Sequence, residues 1–233
     1  MRQVGGVTAA GEGTAAAFAA AVAGLRSGQE EVCAVRPELT FEDVPAPRTL
    51  APYAAAIAAT VRVSGTEVAS GRFVLLYDPA GQRGWPGPLR VIIYIRADLE
   101  PEIAADPMLG EVAWSWLTES LDARTSGYEA PSGTVTRVVT EGFGAKRQDP
   151  QTTGFELRAS WSPVGLAGMN CLPGNEHVPA EPGLPGPGLP DPEQGGLNGH
   201  LAAWCGAMCA AAGLPPLVAG VTALRPPARR RRP

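Results

Sequence analysis

The chain has 233 residues, enough for one large domain or two small ones with a full core. Its net charge of −4 is unevenly spread: Arg225–Pro233 holds five of the 19 basic residues, which leaves 14 against 23 acidic ones and a body at −9. An acidic body repels phosphate backbones, which argues against a nucleic-acid reader built on the folded part. Four cysteines in such a length do not make a disulfide framework, and no apolar run reaches the length of a membrane span. The expected setting is the cytoplasm, with reduced thiols.

In chain order, residues 1–13 read as a flexible start. A helix is expected over about Thr14–Arg26, with Phe18, Val22 and Leu25 on one face and Gly28 beyond its end; amphipathic spacing favours this over a signal peptide. Val35–Val44 reads as a short edge strand on the alternation of Leu39 and Phe41. Pro45 and Pro47 mark a connection, after which Pro52 opens a second expected helix with Tyr53, Ile57 and Val61 on one face. Arg72–Asp78 is apolar on both faces, as a central strand is, and Leu89–Ala97 alternates. The turn formers between them predict a hairpin with a long loop.

The strongest helix signal is Asp106–Leu121. Asp106 suits an N-cap and Pro107 the first turn, while Leu109, Val112, Ala113, Trp116, Leu117 and Leu121 recur at helical spacing. This helix is expected to be the main cover of the core. Gly133–Gly142 and Thr153–Ser162 read as strands, the latter with Phe155, Leu157, Ala159 and Trp161 on one face. Pro163–Gly199 contains 17 Pro or Gly in 37 residues and reads as a disordered insertion. A last helix starts near His200, carries Leu201, Trp204, Cys205, Met208 and Ala212 on one face, and stops at Gly213. Residues 218–233 read as a disordered, arginine-rich tail.

Strand–strand–helix order thus occurs twice. The predicted class is α+β: one domain over 14–217, an antiparallel sheet of about four to five strands, and amphipathic helices on one face.

The blocks LAPYA, RFVLLYDPAG, EVAWSWLTESL, PSGTVTR, FELRASWSP and HLAAWC followed by AGLPP resemble an uncharacterised actinobacterial family, a domain of unknown function. The resemblance spans roughly Phe18–Pro216 and implies a bacterial cytosolic protein of about one domain. It supplies no activity and no catalytic residues. The Pro163–Gly199 insertion and the arginine tail are departures from that pattern.

Candidate chemistry is sparse. Cys205 and Cys209 sit one helical turn apart, but His200 falls about 140° around the helix from Cys205, and no CxxC or HxxxH adds ligands. No metal and no cofactor is expected, and the thiols read as core residues beside Trp204 and Met208. His177 lies in the insertion, and neither histidine belongs to a nucleophile motif. Gly81, Gly84 and Gly87 lie in a hairpin loop, where no phosphate-loop pattern fits. The acidic cluster Asp98, Glu100, Glu102 and Asp106 supplies turn formers and charge at a helix start. No catalytic residue is named.

One constellation remains. Arg90, Arg96 and Arg158 lie opposite the main apolar rows, and Arg137, Tyr94 and Ser160 join them if the strands pair as inferred. Guanidiniums on a sheet face receive carboxylate or phosphate groups, or pair with Glu156 and Glu141 as a solvated face. The expected function is therefore a non-catalytic domain binding a protein or small anionic ligand there. Two alternatives stand beside it: an enzyme of unrecognised class using the acidic cluster at 98–106 or the PSGTVTR segment, and a nucleic-acid accessory protein. The last would act through Arg225, Arg229, Arg230, Arg231 and Arg232.

Overall fold

The computed structural model describes residues 9–164 and 196–216. Most of the expected insertion, the start of the expected flexible N-terminus and the arginine tail lie outside these residues. Helix α1 spans Ala9–Val35, followed by strands β1 (Leu39–Asp43), β2 (Tyr53–Val63), β3 (Thr66–Tyr77) and β4 (Leu89–Leu99). Helices α2 (Pro101–Ala105) and α3 (Leu109–Arg124) lead to β5 (Tyr128–Thr140), β6 (Thr152–Pro163) and α4 (Leu197–Ala211). The strands make one six-stranded antiparallel sheet in the order β1-β2-β3-β4-β6-β5. The α+β class and the repeated strand–strand–helix order are as expected, with more strands than predicted.

The extra strand corrects an expected helix. Tyr53, Ile57 and Val61 are four residues apart, a spacing that fits one helix face and equally one strand face, because four is a multiple of two. The alanine run tips propensity toward helix. Tertiary context decides otherwise: β2 pairs with both β1 and β3, burying Ile57, Ala59 and Val61 on one side and Ala56 on the other. Ser64 and Gly65 (φ 52° and 85°) make the two-residue turn into β3, which therefore begins at Thr66 rather than near Arg72.

The helix boundaries moved as well, and β5 begins at Tyr128 rather than Gly133. Helix α1 begins at Ala9, inside the expected flexible start, and continues past Gly24 and Gly28 to Val35. Gly28 is no stop signal: a Cβ there would meet the Asn198 side chain at 2.8 Å, so the glycine lets α1 approach α4. Helix α3 begins at Leu109, and Asp106 acts one turn earlier, its Oδ1 accepting from the Met108 N–H at 2.8 Å. The last helix begins at Leu197, inside the expected insertion, and ends as predicted. Gly213 (φ 71°) donates to Ala210 O at 3.0 Å and Leu214 to Cys209 O at 2.9 Å, a Schellman stop.

The main core lies between the helices and one face of the sheet. Phe18 and Leu25 of α1 and Leu109, Ala113, Leu117 and Leu121 of α3 pack there, over the alternating row Leu89, Val91, Ile93, Ile95 and Ala97 of β4. Helix α4, rather than α3, is the central element. Leu201, Ala203, Trp204, Ala207 and Met208 are essentially inaccessible, so the helix is enclosed on nearly every side. Cys205 and Cys209 are buried in it, and desolvation raises both thiols, Cys209 to about 11.

Trp204 seats α4 on the sheet. Its ring lies 5.7 Å from Phe73 and 6.5 Å from Phe41, and its Nε1 donates to Tyr94 O at 3.4 Å. Gly71 of β3 makes the room: a Cβ there would meet Trp204 Cζ2 and Met208 Sδ at 3.0 Å and Tyr94 O at 2.6 Å. We expect Gly71→Ala to cost about 2 kcal/mol through overpacking, read as a lower urea midpoint at unchanged slope. Unaltered stability would mean that α4 rides higher on the sheet than described.

Candidate functional site

Strand alternation turns a second row away from the helices. In β4 this row is Arg90, Ile92, Tyr94, Arg96 and Asp98; in β6 it is Glu156, Arg158, Ser160 and Ser162. Register joins them: Ile92 faces Ser160, Tyr94 faces Arg158 and Arg96 faces Glu156, while Ser132 of β5 faces Ser160. Five of the six expected residues (Arg90, Tyr94, Arg96, Arg158 and Ser160) therefore share one face. Arg72, opposite Tyr94 in β3, adds a cation that the sequence reading did not single out.

Arg137 does not belong there. It faces Phe155, whose side chain is in the core, so its own side chain leaves on the helix side. Its Nη2 donates to Asp106 O at 2.6 Å and Pro107 O at 2.9 Å, tying β5 to the turn before α3.

The shared face is not one site. Arg90 and Arg96 are six residues apart on an extended strand, about 20 Å. At the middle, Arg158 is exposed, pairs with Glu156 at 2.8 Å and stacks over the Tyr94 ring at 5.4 Å. Exposed pairs of this kind contribute little, and here the local charge is answered. Arg96 sits at the far end beside Asp98 and Glu67, along a recess of about 310 Å³.

The Arg90 end is built differently. A second apolar cluster of Ala56, Val74 and Leu76 lies on this face, covered by Val44, Ala46, Ala51 and Trp85. The loop bearing Trp85 is held in place: Asp78 accepts from the Ala80 N–H at 3.0 Å, and Gln82 Nε2 donates to Leu50 O at 2.8 Å and Asp78 Oδ2 at 3.1 Å. Gly81 and Gly84 (φ 72° and 87°) take its left-handed positions. Between loop and sheet is a cavity of about 370 Å³ lined by Leu50, Arg83, Trp85, Arg90, Ile92 and Ser160 among others.

Arg90 is only 8% exposed. Its Nη2 donates to Ser160 Oγ at 2.7 Å and Ser132 Oγ at 3.4 Å, and its Nη1 to Ser162 Oγ at 3.5 Å. Among the described residues no carboxylate lies within ion-pair distance of it. Desolvation accordingly lowers its pKa. A buried guanidinium answered only by hydroxyls is an unbalanced charge, and the cavity gives an anion access to it.

The other expected chemistry is dispersed. Asp98 faces Gly154 whereas Ser132 faces Ser160, so these two lie about 20 Å apart along the sheet. No group of three or more His, Cys, Asp or Glu side chains able to hold a metal occurs among the described residues. His200 is fully buried in the first turn of α4, its Nδ1 accepting from Trp161 Nε1 at 3.0 Å and its Nε2 without a partner. No helix of the described residues is long and apolar enough to cross a membrane. The arginine tail lies outside them.

The family model for a protein of unknown function (DUF3000) matches residues 14–222. The chain belongs to this family. No curated protein and no solved structure matches. The DUF3000 match takes in every strand, α2 to α4 and most of α1, runs across Pro163–Gly199, and ends before the tail arginines.

Two outcomes follow from these placements. Arg137→Met should lower stability by about 1 kcal/mol in chemical denaturation, less than for a buried charged donor because Arg137 is exposed. Burial holds the His200 pKa down at about 4 against an ordinary 6.5. The unfolded chain then takes up this proton near pH 6.5 and the folded chain only near 4, so stability falls as pH drops through that window and is constant above it. Relative to His200→Asn, which keeps an acceptor for Trp161, the wild type should lose up to about 3 kcal/mol between pH 6.5 and 4. Parallel urea curves at each pH measure the difference.

Proposed function

We propose that this protein is a non-catalytic, cytosolic domain that binds a small anionic ligand on the sheet face away from the helices, with Arg90 as its charged centre. The supporting observation is the burial of Arg90 beside a cavity with no carboxylate to answer it. Structural arginines in such positions are ordinarily paired, because an unanswered buried charge costs several kcal/mol. Retaining one beside an open cavity supports a role in ligand binding rather than in stability. Arg83 at the cavity wall adds a second cation, and Trp85, Leu50 and Ile92 supply the apolar contact that small-molecule sites use. Arg158, already paired with Glu156, is an accessory at most.

The test is Arg90→Met, which keeps the volume and removes the charge. The apo variant should be as stable as the wild type or more stable by about 1 kcal/mol, since an unpaired buried charge is gone. At tenfold over its dissociation constant, a bound anion should stabilise the wild type by about 1.4 kcal/mol and the variant not at all. Benzoate and phenyl phosphate serve as probes in thermal denaturation at low salt. Equal shifts in both proteins, or none in either, would remove Arg90 from any binding role.

A further inference from the structure

Beyond the charge of the ligand, the hydrogen-bond geometry of the cavity bears on its chemical class. We propose that the Arg90 cavity takes a phosphate monoester carrying a flat apolar body, rather than a carboxylate; this rests on the anion-binding reading above. A guanidinium grips a carboxylate through two parallel bonds from one edge, and both available edges include Nη2. In Arg90 the two Nη2 protons are directed to Ser160 and Ser132. A bidentate carboxylate would have to displace one of these hydroxyls. What Arg90 retains is single-point donation from Nε and from the Nη1 proton that is not directed to Ser162.

The serines change the donor set in the same direction. Ser160 accepts from Arg90 and lines the cavity, so its own O–H proton can turn to a ligand there or to Ser132 Oγ. The Ser132 hydroxyl lies 3.4 Å from that of Ser160, at the adjoining surface. The site thus offers single donors from several groups: Arg90, Ser160 and, across the cavity, Arg83. Three terminal oxygens on a tetrahedral centre accept such donors from out-of-plane directions as well, whereas a carboxylate accepts mainly within its own plane. Charge agrees: two guanidiniums and no acid in the lining match a dianion, and a phosphate monoester carries nearly two charges at neutral pH. The Trp85 ring, with Leu50 and Ile92, forms an apolar wall for the remainder of the ligand. A cavity of about 370 Å³ limits that remainder to roughly one or two rings.

Isothermal titration with the full chain at pH 7.5 separates the possibilities, using phenyl phosphate, phenyl sulfate, benzoate and inorganic phosphate. Phenyl phosphate should bind at least tenfold tighter than each of the other three. Its affinity should fall about tenfold at pH 5, where the second phosphate proton returns, and about tenfold in Ser160→Ala, with benzoate unaffected by that substitution. Trp85→Ala, which removes the apolar wall, gives a second loss of phenyl phosphate binding, and circular dichroism and the thermal midpoint confirm that both variants are folded. Benzoate binding as tightly as phenyl phosphate, with both lost in Arg90→Met, would overturn the phosphate assignment and leave the anion site standing. Inorganic phosphate binding as tightly as phenyl phosphate would overturn the apolar half of the assignment. Absence of binding by all four probes would overturn this inference and the anion site together.

Discussion

The close seating of α4 on β3 is the constraint from which the rest of the architecture descends. A tryptophan and a methionine can lie flat on a strand only where that strand lacks a side chain, and Gly71 supplies the gap. With Trp204 against Phe73 and Phe41, α4 occupies the middle of the helical layer, and α1 and α3 flank it. Its enclosure explains a composition without a charged residue from Leu197 to Ala211. An ionised group there would have no water and little room for a counter-charge. His200 is the one titratable base in it, and it stays neutral.

Concentrating every long helix on one face leaves the other face to loops, and loops cover it unevenly. The Val44–Ala51 connection and the Trp85 loop close over the β2–β4 end, turning an exposed row into a partly desolvated one. The same guanidinium chemistry therefore has different consequences along one strand. Arg96 is in water and screened; Arg158 is held by Glu156 and Tyr94; Arg90 is largely shielded at the wall of a cavity, where an interaction counts for more than in open water.

Much of this was legible from period alone. The common face of Arg90, Tyr94, Arg96, Arg158 and Ser160 follows from alternation within β4 and β6 plus antiparallel pairing, both readable in Leu89–Ala97 and Thr153–Ser162. Arg137 escaped because the side of a residue on β5 depends on its register with β6, and Gly133–Gly142 has no apolar alternation to fix it: Val135 and Val138 lie on opposite faces. Strand β2 escaped because a four-residue spacing satisfies both periods and alanine has no strand preference, although Ser64-Gly65 is a hairpin signal that marks its end. Trp85 and Arg83 could not be placed by any local rule. Their position over Arg90 is set by contacts from Gln82 to Leu50, 32 residues away in sequence. The family match confirms kinship over 14–222 without naming a chemistry, so the site rests on geometry alone.

The position of α4 in the chain carries a consequence for biogenesis. The element that fills the centre of the helical layer is the last helix described, separated from β6 by the stretch between Val164 and Gly196. Until it arrives, the inner row of the sheet, from Ile57 through Phe73 and Ile93 to Leu157, lacks its principal cover. A ribosome releasing the chain from its N-terminus exposes that row for the time taken to synthesise about 50 further residues, several seconds at ordinary elongation rates. Closure then requires a long-range docking step of high contact order, which is slow compared with hairpin formation. The nascent sheet is accordingly the stage at which this protein is most open to chaperones and to aggregation, and its edge strands, the short β1 and the bulged β5, present little continuous apolar edge to a neighbouring chain meanwhile.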